Sequence, residues 1–401
     1  MQKRLLMLHA TTSEIPFILA ARHLGYYVIT TSTMPHYPGH KYADEYIYGN
    51  YNDYDEMIRL CQEHGIDAIS QGCSDDCALT AAYVGEKLGM KGHDSYENAR
   101  IIHRKDDFKR FAAENNILTP ISHSFTDIES AMKFEEQLHY PVIVKPNDLG
   151  GGQGIHIAES RKEYSECVKN AFERSHEKHI VVEPFIRGTL HSLNTFIIDQ
   201  KVVSYCTAND YSFKNQYLTN AGLAPADGGA EAAKVLIPET ERVAGLLGLV
   251  DGQLHMQYIV DRNGQPWIIE MMRRNIGNNW MTMITDTIGV NWPEWCIRAE
   301  AGLDCRGIAP PREPDGYYGY YSAMAPQNGI VRKIHIKPEF QPFVYQYMEW
   351  VDPGHEIKNY MGEKIASLSF FFKTEEEKKY FIPRLNEMVW VELEKNDQAR
   401  L

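Results

Sequence analysis

The segment Val142–Ile155 combines a lysine with a run of glycines. It delivers Lys145 at the end of an apolar strand. The glycines that follow this strand are Gly150, Gly151, Gly152 and Gly154. A fixed ammonium group beside unobstructed backbone N–H groups is suited to binding a polyphosphate. The segment lacks the Gly-Lys-Ser/Thr sequence of a Walker loop, so an ordinary glycine-rich hairpin with a surface lysine is the alternative.

A second strand, Ile180–Glu183, ends in an acid and continues into a short apolar linker. Phe185 and Ile186 in this linker could enclose a purine ring, while the backbone N–H and C=O groups bind its edge. The alternative is a strand that joins two units and ends in a capping glutamate. Taken alone, the segment favours that alternative.

Two later strands, Gln253–Val260 and Gln265–Met272, flank an Asp-Arg-Asn-Gly turn signal. Because side chains alternate along a strand, this hairpin places Gln257 nearly opposite Glu270. Glu270 interrupts an otherwise apolar strand, and a buried carboxylate needs a cation. Arg274 or a magnesium ion could supply it, so a structural ion pair and a metal site are both compatible with the pattern.

Residues 1–100 alternate short apolar strands with helices that end at glycines. This alternation predicts a parallel sheet with helices on both faces. Ligands of such sheets bind beyond the carboxyl ends of the strands, where His9, Ser74 and Asp75 lie. No Gly-x-Gly-x-x-Gly sequence follows the first strand, so the dinucleotide-binding fingerprint is absent.

Three further segments complete the predicted organisation. Residues 95–115 have the pattern of one long helical stretch. The segment from Asn209 to Gln216, continuing through Asp227–Gly229, is expected to be a long binding loop or lid. The proline-rich run Ala309–Pro314 marks a domain boundary, and the residues after it are rich in β-strand formers.

Composition narrows the class of protein. The 401 residues include 41 lysines and arginines against 54 aspartates and glutamates, which gives a net charge of −13 and disfavours sequence-independent nucleic-acid binding. No apolar run approaches the ~20 residues of a membrane span. The seven cysteines are scattered and no secretion signal is evident, so we expect reduced thiols and a cytoplasmic protein.

The order of these groups along the chain resembles the ATP-grasp superfamily. The matching positions are Lys105, Lys145, the glycine run, Glu183, Glu270 and Arg274. This superfamily includes the L-amino-acid ligases, biotin carboxylase and the carbamoyl phosphate synthetase large subunit. The resemblance implies a mixed α/β and α+β fold. A Rossmann-like pre-ATP-grasp domain (1–100) would precede a two-lobed ATP-grasp domain (101–310) with a mobile lid at about 120–185, and a β-rich C-terminal extension (311–401) would follow.

The resemblance also implies roles for individual residues. Lys105 and Lys145 would bind ATP phosphates, and the loop Gly150–Gly154 would close over them. Glu183, Phe185 and Ile186 would form the adenine hinge. Glu270 would bind Mg²⁺, and Gln257 lies at the position of the superfamily's first magnesium carboxylate. Arg274 would support the transferring phosphoryl group, and Asn278 would contact the substrate.

Three positions depart from the superfamily pattern. Gln257 stands where the first magnesium carboxylate is expected, and Met272 stands where an asparagine is expected. Leu190, beside His191, replaces the ribose-binding acid. Magnesium prefers hard oxygen ligands, so an amide is a weaker ligand than a carboxylate and a thioether is essentially none.

The activity that the resemblance implies is an ATP-dependent carboxylate–amine ligase. ATP and Mg²⁺ would be required, an acyl phosphate would form, and ADP and phosphate would be released. The expected partners are a small carboxylate and an amine, without nucleic acid or membrane, in a possible homodimer. A small-molecule kinase is one alternative. A nucleotide-binding protein with little or no turnover is another, because of Gln257 and Met272.

Overall fold

The structure is a computed structural model that describes residues 2–149 and 152–394. Its first unit contains β1 (Arg4–Leu8), α1 (Ile15–His23), β2 (Tyr27–Ser32), β3 (Glu45–Tyr48), α2 (Tyr54–Glu63), β4 (Ala68–Ser70) and α3 (Asp75–Leu88). The strands form a parallel sheet in the order β3-β2-β1-β4. Leu5 and Met7 pack with α1, whereas Leu6 and Leu8 pack with α2 and α3. The predicted parallel sheet with helices on both faces is therefore confirmed.

The predicted long helix is divided in two. The structure contains α4 (Tyr96–His103) and α5 (Lys105–Glu114). Arg104 between them has an extended backbone, with φ −98° and ψ 121°. Asp106 and Asp107 lie in the first turn of α5, where negative charge stabilises a helix N-terminus. The break makes Lys105 the first residue of α5.

Residues 123–184 form a smaller antiparallel sheet. Its elements are β5 (His123–Phe125), α6 (Ile128–Lys133), β6 (Val142–Pro146), β7 (His156–Ala158), α7 (Arg161–Arg174) and β8 (Ile180–Pro184). The strand order is β5-β8-β6-β7. Tyr164 and Val168 of α7 pack on Val142 and Val144, so this sheet has its own apolar core.

The largest sheet has eight strands and continues into the C-terminal part of the chain. Its first segment contains β9 (Gly188–Ile198), β10 (Lys201–Tyr211), β11 (Ala221–Ala224), α8 (Gly229–Leu247), β12 (Gly252–Asp261), β13 (Pro266–Met272), α9 (Trp280–Ile288) and α10 (Trp292–Glu300). The elements after it are β14 (Tyr317–Met324), β15 (Gly329–Ile336), β16 (Val344–Glu349), β17 (Glu356–Ile357), β18 (Lys364–Phe372), α11 (Glu375–Phe381), α12 (Leu385–Met388) and β19 (Val389–Leu393).

The strand order of this sheet is β13-β12-β9-β10-β11-β14-β18-β16, and β17-β15-β19 form a separate small sheet. β12 and β13 pair antiparallel, which confirms the predicted hairpin, and β9 pairs antiparallel with both β10 and β12. The predicted boundary near residue 311 falls between two strands, β11 and β14, that are neighbours in one sheet. The division into three domains stays a prediction.

The expectation of one long loop from Asn209 to Gly229 is wrong. Residues Asn209–Tyr211 belong to β10, Ala221–Ala224 form β11, and α8 begins at Gly229. Asn209, Asp210 and Tyr211 pair with β11. The cause is tertiary pairing, which extends β10 through polar residues that have low strand propensity.

All seven cysteines are free thiols, in agreement with the sequence expectation. Across residues 2–149 and 152–394, the helices are too short or too polar for a membrane span.

A buried ion pair joins the loop before α4 to the large sheet. Arg273 Nε lies 2.8 Å from Asp94 Oδ2, and both side chains are less than a tenth exposed. Arg273 also donates to the carbonyl oxygens of Val250 and Gln253. Asp94 Oδ1 accepts the Val250 N–H at 2.8 Å. These bonds satisfy both charges inside the protein.

We expect Asp94→Asn to lower the free energy of unfolding by about 3–5 kcal/mol, because it leaves the Arg273 guanidinium buried without its counter-charge. Urea unfolding measures this change. Asp199→Asn is the matched control, since it breaks an ion pair to Arg306 whose side chains are 69% and 68% exposed, and it should change stability little. Equal effects of the two substitutions would contradict the prediction.

Candidate functional site

A buried cluster of three charged side chains connects α5 with the smaller antiparallel sheet. Glu183 Oε2 lies 2.8 Å from Lys145 Nζ, and Glu183 Oε1 lies 3.2 Å from Lys109 Nζ. All three residues are less than a tenth exposed. Burial raises the pKa of Glu183, but the charges of Lys109 and Lys145 outweigh this effect and hold it at about 2. The Glu183 carboxylate is therefore engaged by lysines and does not face an open cleft.

Lys105 lies at the junction of α5 and the glycine run. Its ammonium donates to the carbonyl oxygens of Asn147 and Leu149, at 3.3 and 2.7 Å. The Asn147 side chain bonds the Asp106 backbone and carboxylate, which fixes the start of the loop against α5. Burial lowers the pKa of Lys105, and no carboxylate among the described residues forms an ion pair with it. Lys105 is thus a partly buried cation, and its described hydrogen-bond partners are carbonyl oxygens.

The glycine run is described in part. Gly150 and Gly151 lie outside the described residues. Gly152 has φ +75°, and a Cβ atom there would lie 2.4 Å from the Cβ atom of Tyr217. Only glycine satisfies both the left-handed backbone and this close approach to the loop between β10 and β11. Gly154 also has a left-handed backbone, with φ +69°.

The predicted adenine hinge follows β8 directly. Phe185 and Ile186 are partly buried. The Phe185 N–H donates to the Pro141 carbonyl at 3.0 Å, so this backbone group is already occupied. The guanidinium of Arg187 lies 5.7 Å from the centre of the Phe185 ring. Other backbone groups of the linker would have to bind a purine.

The hairpin of β12 and β13 places Gln257 directly opposite Glu270, as the sequence predicts. Of the two alternatives for Glu270, the structural ion pair with Arg274 is not found in the described residues. Arg274 Nε instead lies 2.7 Å from Asp75 Oδ1, at the start of α3. No lysine, arginine or histidine in the described part of the chain lies within 4.0 Å of the Glu270 carboxylate. The Met272 sulphur accepts a hydrogen bond from Arg274, at 3.4 Å.

Asp210 of β10 is an acidic residue that sequence reasoning missed. It is 7% exposed. Its Oδ2 atom accepts hydrogen bonds from Ser192 Oγ at 2.7 Å and Gln257 Nε2 at 3.1 Å. The signal was available, since extending the alternation of β10 beyond Thr207 would have placed Asp210 on the face of Ala208.

The loop after Arg274 meets both the first unit and the C-terminal strands. The Asn278 N–H donates to Ser13 Oγ at 3.0 Å, and Lys364 Nζ donates to Asn278 Oδ1 at 3.2 Å. Lys364 also donates to the Thr219 carbonyl, and burial lowers its pKa to about 8. Asn275 and Asn279 also bond other protein groups, and the role of Asn278 as a substrate contact stays a prediction.

Lys109 and Lys364 were also missed. Lys109 is four residues after Lys105 and therefore shares its helix face, which was a usable signal. Lys364 lies in β18, far from the other site residues in sequence, so only the fold brings it to Asn278.

The donor set fits a magnesium–nucleotide complex. Within the described part of the site, the Lys105 ammonium and the Glu270 and Asp210 carboxylates have no oppositely charged group within 4.0 Å, and the same holds for the Lys364 ammonium. Phosphate oxygens suit the ammonium, and a hard divalent cation suits carboxylate oxygens. In residues 2–149 and 152–394, no three His, Cys, Asp or Glu side chains are arranged so that they alone could hold a metal ion. A metal ion would therefore need ligands from a bound substrate as well.

The pKa of Glu183 predicts a pH-dependent loss of stability. An ordinary glutamate takes up its proton near pH 4.5, whereas folded Glu183 keeps its charge down to about pH 2. The stabilisation is full above pH 4.5 and is lost as the pH falls towards 2. We expect urea unfolding of Glu183→Gln to show a shallower decline over this range than the wild type, with Asp199→Asn as control. Identical pH slopes for Glu183→Gln and the wild type would refute this assignment.

Comparison with known proteins relates the chain to nucleotide-dependent ligases. Residues 104–240 match the family described as phosphoribosylglycinamide synthetase, ATP-grasp (A) domain. The phosphoribosylamine–glycine ligase of Vibrio vulnificus is 25% identical over 183 residues, which cover 40% of this chain and 42% of that protein. The carbamoyl phosphate synthase large chain of Sulfolobus acidocaldarius is 28% identical over 195 residues, which cover 47% of this chain and 17% of that one. The chain thus spans less than half the length of both relatives.

Two solved structures share the fold over almost the whole chain. The L-amino acid ligase from Bacillus licheniformis has a TM-score of 0.80 at 19% identity, and covers 98% of this chain and 100% of its own. The phosphoribosylglycinamide synthetase from Anaerococcus prevotii has a TM-score of 0.77 at 19% identity, with the same coverage. These likenesses establish the fold, and the family match covers the segment that carries Lys105, Lys145 and Glu183. Residues 104–240 therefore match an ATP-grasp domain, and the chain as a whole has the fold of the two solved ligases.

Proposed function

We propose that this protein is an ATP-dependent carboxylate–amine ligase that forms an amide or peptide-like bond and releases ADP and phosphate. One observation carries the proposal: among the described residues, neither Lys105 nor Glu270 has an oppositely charged group within 4.0 Å. A magnesium–ATP complex would satisfy both, because its phosphates suit Lys105 and its metal ion suits Glu270.

The phosphate side of the site is proposed to lie between α5, the glycine run and β13. Lys105 and Lys145 bind the phosphates, and the glycine run covers them with backbone N–H groups. Phe185 and Ile186 enclose the adenine. When bound, Mg²⁺ neutralises phosphate charge, and Glu270 holds it with Gln257 nearby.

The chain's own residues then have three tasks in the reaction. They orient a substrate carboxylate towards the terminal phosphate, so that an acyl phosphate and ADP form. Lys145 and Arg274 stabilise the negative charge that spreads over the transferring group. The covered site excludes water from the acyl phosphate until an amine attacks the acyl carbon and expels phosphate.

The acceptor side is proposed to lie at Asn278, where three parts of the fold meet. Lys364 has only the Thr219 carbonyl and the Asn278 amide oxygen as described partners. Its partly buried ammonium is suited to an anionic group of the substrate. Ser13 fixes the Asn278 backbone from the first unit. A small carboxylate is the substrate class that this arrangement supports.

Phosphate release with pools of carboxylates, measured with and without amines, tests the function. The ligase releases phosphate only when both substrates are present. A stable phosphorylated product without an amine requirement identifies a kinase instead. Nucleotide binding without turnover under all conditions identifies a binding protein, the alternative raised by Gln257 and Met272.

Glu270→Gln should lower turnover by about 10²–10³-fold, because the neutral amide holds a metal ion less well at the transferring phosphate. Initial rates at saturating ATP and Mg²⁺ measure this. Glu231→Gln is the control, since Glu231 is 76% exposed on α8, and its rate should equal that of the wild type. An unchanged rate for Glu270→Gln would remove Glu270 from the site.

A further inference from the structure

Asp210 carries a buried charge that the described residues do not balance. Both hydrogen-bond donors to this carboxylate, Ser192 and Gln257, bind its Oδ2 atom. The Oδ1 atom is buried and has no hydrogen-bond partner. No lysine, arginine or histidine in the described part of the chain lies within 4.0 Å of the carboxylate. Leaving a buried carboxylate in this state is costly unless a ligand completes it.

The sheet register places Asp210 on the same face as the metal-binding candidates. Gln257 is opposite Glu270 on one side and opposite Ser192 on the other. Ser192 is opposite Ala208, and Asp210 follows two residues later on β10. Because side chains alternate, Glu270, Gln257, Ser192 and Asp210 all project from one face.

The electrostatics of this face favour a cation. Glu270 projects from the same face and also has no cationic group within 4.0 Å in the described residues, so two carboxylates lie on this face without a countercharge. The Oδ1 atom of Asp210 is buried without a hydrogen-bond partner. A divalent cation would supply both a countercharge and a partner for Oδ1.

We propose that Asp210 is a ligand of the Mg²⁺ that accompanies ATP, and that it provides the carboxylate that Gln257 does not. The inference rests on the proposed nucleotide site. Gln257 becomes a positioning residue, because its Nε2 atom holds Asp210 Oδ2 at 3.1 Å. Glu270 and Asp210 together contribute two negative charges, which balance one Mg²⁺ ion. The site thus has two carboxylates, as the superfamily pattern requires, but the second lies on β10 and not on β12.

Mn²⁺ binding tests the proposal without reliance on turnover. The full-length chain is titrated with Mn²⁺ in the presence of a non-hydrolysable ATP analogue, and bound Mn²⁺ is measured by electron paramagnetic resonance. Asp210→Asn should lower the Mn²⁺ affinity at least about tenfold. Asp199→Asn, which removes the same charge from an exposed turn, should leave the affinity unchanged. Circular dichroism establishes folding, and Asp210→Ser replaces the first variant if it does not fold.

A double variant that removes the Asp210 carboxylate and adds one at position 257 tests whether the two positions share a metal ion. In the double variant Asp210→Asn with Gln257→Glu, the carboxylate returns to the β12 position beside Glu270. We expect this variant to recover most of the Mn²⁺ affinity lost in Asp210→Asn. Recovery supports a shared metal position, whereas a structural role for Asp210 predicts no recovery.

Nucleotide binding in metal-free buffer distinguishes a failure of the Asp210 assignment from a failure of the proposed nucleotide site. If the wild type binds the ATP analogue and Asp210→Asn binds Mn²⁺ as well as the wild type does, the role of Asp210 is wrong and the nucleotide site stands. Failure of the double variant to recover affinity also overturns the role of Asp210. If the wild type does not bind the analogue at all, both the proposed function and this inference fail.

Discussion

The ion cluster of Lys109, Glu183 and Lys145 is the interaction on which the rest of the site depends. Lys109 comes from α5, whereas Glu183 and Lys145 come from neighbouring strands of the smaller sheet. With all three groups buried, removing any one would leave a charge unbalanced in a medium of low dielectric constant. The cluster therefore ties α5 to the smaller sheet and fixes the position of Lys105, one turn earlier on the same helix.

A second set of contacts brings the first unit to the acceptor side. Asp75, at the start of α3, holds Arg274, and Ser13 holds the Asn278 backbone. Lys364 reaches Asn278 from β18. The first unit thus contributes one group at Arg274 and one at Asn278, and β18 contributes a second group at Asn278. Lys364 thus brings a C-terminal strand to the proposed site, which the composition of these strands did not indicate.

The sequence predicted the features that depend on local pattern. Alternation and turn chemistry were sufficient for the parallel sheet of the first unit and for the pairing of Gln257 with Glu270. Features set by distant neighbours were not predictable in this way. Arg274 pairs with Asp75, 199 residues away in the chain. Asp210 was assigned to a loop because β10 continues through polar residues that only pairing with β11 holds extended. The roles of the individual site residues stay predictions, because the fold alone does not test them.

A crystal structure with a non-hydrolysable ATP analogue and Mg²⁺ tests the central claim most directly. We expect the triphosphate to lie between Lys105 and Lys145 on one side and Glu270 on the other. The adenine should lie against Phe185 and Ile186, and a metal ion should contact Glu270. A nucleotide bound elsewhere, or a triphosphate that contacts neither lysine, would contradict it.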